Sequence, residues 1–154
     1  MPPLPHDPQG YCHRNHLHFE DPHYAAQFLA ASRQLLPRPL SVTAVIDGWA
    51  ELVAKVEAGY DATPPELEYA LSTAREPIDA LLMEGSLHAF PEHRKFIRAV
   101  QQLDTRFLEF TFEAPLHPED FAWYHRRVPL RAGAEYIDFL SGELKRKVER
   151  VGGK

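Results

Sequence analysis

Residues 41–60 read SVTAVIDGWAELVAKVEAGY, and the spacing of apolar side chains in this stretch decides the fold class. Val42, Val45, Ile46, Trp49, Leu52, Val53, Val56 and Tyr60 recur in steps of three and four, which places them on one face of an α-helix. Asp47, Glu51, Lys55 and Glu57 fall mostly on the other side. Ser41 supplies an N-cap hydroxyl for the amides that lack partners in a first helical turn. Gly59 supplies a residue that can turn left-handed and end the helix. A stripe of this width, with an indole near its centre, is a surface against which other helices pack.

The neighbouring segments follow the same logic. Asp21 followed by Pro22 is a helix start, the carboxylate capping free amides and proline occupying the first helical position. The helix it opens carries Tyr24, Ala25, Phe28, Leu29, Ala31 and Leu35 and ends before Pro37. Thr63, Pro64 and Glu66 repeat the signal as a capping box. Leu67, Ala70, Leu71, Ala74, Ile78, Leu81 and Leu82 then keep helical spacing, and Pro77 within that register predicts a kink or two short helices. Phe96, Ile97, Val100, Leu103 and Phe107 mark a further helix, and Pro118 opens a short one carrying Phe121 and Tyr124. Tyr136, Ile137, Leu140, Leu144 and Val148 predict a final helix over 132–151.

Two short stretches alternate instead. In 16–20 and 108–113, polar and apolar residues take turns, the pattern of half-buried strands. The expectation is a mainly α fold: a single-domain bundle of five to seven helices with a small two-stranded ribbon pairing 16–20 with 108–113. Residues 1–15, with Pro2, Pro3, Pro5, Pro8 and Gly10, read as an extended arm, and 16–151 as one globular domain.

The composition excludes several classes. At 154 residues with 44% hydrophobic and 25% charged side chains, the chain has enough apolar content for a core and too much for wholesale disorder. No apolar run is long enough to span a bilayer, so no membrane partner is expected. Cys12 is the one cysteine, which excludes an internal disulfide and fits a reducing, cytoplasmic setting. The first ten residues lack the basic and apolar regions of a signal peptide. A net charge of -5 opposes general nucleic-acid binding. That average conceals a gradient: 5 basic and 12 acidic residues over Met1–Phe90, against 12 and 10 over Pro91–Lys154.

Three constellations could carry chemistry. The first is the N-terminal group of His6, Cys12, His13, His16, His18, Asp21 and His23. Cys12, His16, His18 and His23 offer a thiolate and three imidazoles, the donor types that zinc takes in tetrahedral sites, although the paired cysteines of closed zinc motifs are missing. Glu84, His88 and Glu92, spaced four apart with His93 alongside, would share one stripe of a continuous helix and could serve acid-base or metal chemistry. The third contains His117, Glu119, Asp120, Tyr124, His125, Arg126 and Arg127. Together with Arg131, its arginines form a cationic cluster able to hold a carboxylate or phosphate. Lys145 and Arg146, with Lys147 and Arg150, add a basic stretch near the C-terminus.

No phosphate-cradling glycine loop, dinucleotide fingerprint, G-x-S-x-G elbow or H-E-x-x-H is present, so no catalytic set is recognisable. The expected function is therefore a non-catalytic cytoplasmic interaction or regulatory protein. It would act through a protein partner or as a homo-oligomer, with Arg126, Arg127, Arg131, Lys145 and Arg146 as interaction residues. The alternative is a metal-binding protein or metal-dependent hydrolase holding zinc on Cys12, His16, His18 and His23. A third reading, ranked last, is weak nucleic-acid binding through the basic C-terminal stretch.

Overall fold

The computed structural model describes residues 10–152. The chain is mainly helical, as the periodicity predicts, and carries two small strand pairs. The longer helices are α2 (Pro22–Leu35), α3 (Val42–Ala58), α4 (Pro64–Ala74), α5 (Glu76–Met83) and α6 (His93–Glu109). Shorter ones are α1 (Tyr11–Arg14), α7 (Ala134–Asp138) and α8 (Gly142–Lys145). Single 3-10 turns occupy Gly85–Leu87 and Trp123–Arg126. Within the expected domain of 16–151 the chain divides into two compact units, one made of the residues up to Glu51 with Ala74–Leu103, the other of Leu52–Thr73 with the residues from Asp104 onward.

In helix α3 every apolar position that the periodicity selects is buried, from Val42 to Val56 and on to Tyr60, with Trp49 and Ile46 fully enclosed. The Ser41 hydroxyl accepts the Ala44 N–H at 3.1 Å. Gly59 has φ 111, a conformation open to glycine and costly for other residues. Truncating a buried indole of this kind costs about 3–5 kcal/mol.

The first unit is tied together by polar contacts at helix starts. Asp21 accepts the His23 N–H at 2.9 Å, with Pro22 at the first helical position. Glu92 accepts two backbone N–H groups, from Asp21 at 2.8 Å and Glu20 at 3.0 Å, and these bonds hold its carboxyl below the usual range against the opposing effect of burial. Phe28 meets Phe96 edge to face at 5.2 Å. Arg75 is buried over the Trp49 ring, 5.9 Å from its centroid, and pairs with Asp79 at 2.7 Å. Pro77 sits at the start of α5, so the interrupted register resolves into two helices, α4 and α5.

The arm predicted for 1–15 begins its departure from that expectation at Tyr11. Tyr11–Arg14 form helix α1, and Cys12 is completely buried. Its N–H donates to Asp47 at 2.8 Å, so a long-range bond and a buried thiol fix a segment whose prolines all lie earlier. Residues 1–9 lie outside the described residues.

The second unit contains the strands. Thr63 caps α4 by accepting the Glu66 N–H at 3.3 Å. Strand β1 (Thr111–Glu113) does pair antiparallel, but with β2 (Arg127–Pro129), matching Thr111 to Pro129, Phe112 to Val128 and Glu113 to Arg127. Residues 16–20 join no strand. The ribbon is therefore local to the C-terminal half, and α6 runs through Leu108 before the strand begins at Thr111.

The final helix predicted for 132–151 is also replaced. Strand β3 (Arg131–Ala132) pairs parallel with β4 (Glu149–Arg150), with only α7 and α8 between them. Tyr60 bridges to Ala132 on the other flank of β3; its N–H donates to Arg131 O at 3.0 Å, and its C=O accepts from Gly133 at 2.8 Å. A Cβ at Gly133 would lie 2.2 Å from the Asp61 carboxylate, so glycine permits that close approach, and Gly133 stands in extended backbone just before α7. Tyr136, Leu140 and Val148 are buried nonetheless. The segment from Pro118 likewise forms only the Trp123–Arg126 turn, with Tyr124 buried and Phe121 exposed.

Candidate functional site

The four residues expected to hold zinc stand in different surroundings. Cys12 points inward, its Sγ 3.9 Å from the Thr43 carbonyl oxygen, and burial, reinforced by Asp47, pushes its thiol well above the ordinary range. His16, His18 and His23 are exposed, and His16 has φ 53. Among the described residues no group of three His, Cys, Asp or Glu side chains is placed to hold a metal ion. His6 lies outside the described residues.

The second constellation is pulled apart by the break between α5 and α6. Glu84 accepts the Ser86 N–H at 3.3 Å and caps the 3-10 turn, while Glu92 holds the start of α2. His88 Nε2 lies 2.8 Å from Leu82 O. His93 is fully buried, with its Nδ1 2.8 Å from the Tyr24 hydroxyl and its ring stacked on Phe96. Its Nε2 has no hydrogen-bond partner of ordinary geometry among the described residues. Burial, and secondarily the neighbouring His88, push its pKa down to about 4, so near neutral pH it is an uncharged core imidazole.

The third constellation is where side chains converge. In the second unit, Asp104 and Leu108 from α6, Glu113 from β1, Trp123 and Arg126 from the 3-10 turn and Arg127 from β2 line a cleft of about 500 Å³. Two cations, two carboxylates, an indole and an aliphatic side chain share its walls. The β1–β2 register creates it, because pairing Glu113 with Arg127 brings the turn against the end of α6.

The two arginines are held differently. Arg127 Nε donates to Thr111 Oγ1 at 2.7 Å, and its Nη2 donates to Thr111 O at 2.9 Å and, more weakly, to Leu108 O at 3.4 Å. Burial works against its charge and the nearby Glu113 supports it. Arg126 makes no side-chain hydrogen bond among the described residues. Glu113 comes within 3.6 Å of its Nη1, an ion pair too long for a hydrogen bond, and its Nε is buried without an acceptor. Trp123 meets the Phe107 ring edge to face at 5.9 Å.

Beside the cleft's turn, His117 pairs with Glu68 of α4 and stacks on the Phe121 ring at 4.6 Å, the planes 4° apart. Phe121 remains 44% exposed and Leu116 38%. The other expected interaction residues lie elsewhere in this unit: Arg131 faces Glu149 at 3.7 Å across the β3–β4 pair, and Lys145 and Arg146 are exposed at the end of α8.

The arginine pair was legible as a cationic cluster in the sequence. Asp104, Leu108 and Glu113 were not, since only the long-range β1–β2 pairing places them at the same cleft. No family model, curated protein or solved structure matches this chain.

Proposed function

We propose that this chain is a non-catalytic interaction protein of the cytoplasm, acting through a protein partner or a second copy of itself, with the second unit presenting the contact surface. The observation that carries this reading is the Phe121 ring. It is stacked on His117, which Glu68 anchors in turn, so a large aromatic surface is held in one orientation yet left in solvent. Ordering a side chain in advance removes an entropy cost from association, and aromatic residues, phenylalanine included, are enriched at binding surfaces. Leu116 is another exposed apolar side chain of the same unit, and Lys145 and Arg146 add exposed cations to it. A single cysteine suits a reducing compartment.

The test compares wild type with Phe121→Asp by sedimentation equilibrium and by affinity capture from the source cytoplasm, with circular dichroism reporting the fold. The expected result is a dimer, or a specific captured protein, that disappears in Phe121→Asp while the spectrum stays unchanged. A monomeric wild type that captures nothing, or an assembly indifferent to the substitution, would overturn the reading.

A further inference from the structure

We propose that the cleft lined by Arg126, Arg127 and Trp123 binds a small monocarboxylate carried on a flat apolar body, of the arylcarboxylate class. The proposal goes beyond the partner-binding reading and stands on a separate observation, the state of the Arg126 guanidinium. Arg126 is half-buried, its side chain 24% exposed, and has no hydrogen-bonded acceptor among the described residues. Its Nε is buried without an acceptor, while the Nη1–Nη2 edge reaches solvent and has no hydrogen-bonded acceptor among the described residues; a carboxylate that meets that edge satisfies two donors at once. Glu113 does not fill that role. Its side chain is 70% exposed and stays 3.6 Å away, so an entering carboxylate can displace a loose contact rather than a formed bond.

The rest of the cleft defines the ligand. Arg127 is anchored through Nε and Nη2 to Thr111 and Leu108, which fixes its second positive charge in place and leaves Nη1 without a hydrogen bond among the described residues. Trp123 and Leu108 supply an apolar wall, suited to a ring that stacks on an indole. Asp104 and Glu113 set the charge limit. With two carboxylates beside two guanidiniums the cleft has little net positive charge to offset the larger desolvation cost of a dianion such as a phosphate monoester, so it favours a monoanion. A volume of about 500 Å³ lies within the usual range of small-molecule sites.

The experiment titrates the protein with phenylacetate, phenylacetamide and phenyl phosphate. It follows the indole Nε1–H resonance of Trp123, assigned by its loss in Trp123→Phe. Phenylacetate should shift that resonance saturably, and phenylacetamide, of the same shape without the charge, should not. Arg126→Gln should weaken phenylacetate binding roughly tenfold or more, with the backbone amide resonances of β1 and of the β3–β4 pair unchanged as evidence that the second unit's fold is intact. The proposal is overturned by an absent or non-saturating shift, by equal response to the amide, by undiminished affinity in Arg126→Gln, or by tighter binding of phenyl phosphate. Because the readout needs no partner, its failure leaves the Phe121 surface untouched, and the failure of that surface leaves the cleft untouched.

Discussion

His93 illustrates how burial decides what a titratable side chain can do. An imidazole enclosed among the Tyr24, His88 and Phe96 rings cannot be hydrated when charged, so burial, with His88 beside it, lowers its pKa from the ordinary 6.5 to about 4. Above pH 6.5 the residue is neutral in both folded and unfolded chains and adds no pH dependence. Between those values the unfolded chain takes a proton that the folded chain refuses, so stability declines as pH falls and levels off below about 4. The full effect is about 3 kcal/mol. Urea unfolding at steps from pH 7 to pH 4 should reveal that loss, and His93→Gln should remove its part of the slope. A slope identical in the variant would place the proton uptake on other groups. The sequence shows His93 only as one member of a polar stripe; what made it a core residue was the chain break at Gly85–Leu87, which turned the expected stripe inward at that one position.

At the level of elements, endings matter as much as faces. Helix α3 stops because Gly59 takes φ 111, and a Cβ there would come within 2.2 Å of Val151 Cγ2. Gly59→Ala should therefore lower stability by about 1–3 kcal/mol, combining backbone strain with that clash. Thermal and urea midpoints measure it, and a neutral result would mean the helix end relaxes freely. Helix faces and caps were readable because their causes are local: the α3 stripe, the Asp21–Pro22 start and the Thr63–Pro64 start all follow from neighbours in the chain. The partner of β1 was not. Arg127–Val128–Pro129 is too short to show alternation and ends on a residue without an N–H, so nothing in its own sequence marks it as a strand. Tyr136, Leu140 and Val148 kept a helix-like spacing and were buried, yet the long-range pairing of β3 with β4 overrode the helix. The cleft inherits the same division. Its arginines were visible as neighbours in sequence, whereas its carboxylates and Leu108 arrive through tertiary pairing.

For the whole molecule, the distribution of charge bears on the class of partner. The net charge is -5, and three arginines of the basic C-terminal half are held by other side chains: Arg106 by Glu57, Arg127 by Thr111 and Arg131 by Glu149. Nucleic-acid affinity grows with the number of phosphates neutralised, and a net negative charge opposes that attraction. Duplex DNA should show no mobility shift at ~0.1 M salt; retention that weakens steeply as salt rises would reinstate a nucleic-acid role. No helix among the described residues is long and apolar enough to cross a membrane. The β3 strand, flanked by Tyr60 on one side and β4 on the other, also imposes a schedule on synthesis. When the ribosome has made Tyr60, the strand that will accept it does not exist, and when Ala132 emerges its other neighbour is still to come. The first unit has all its residues once Leu103 is out, so it can mature on the nascent chain while the second waits for Arg150.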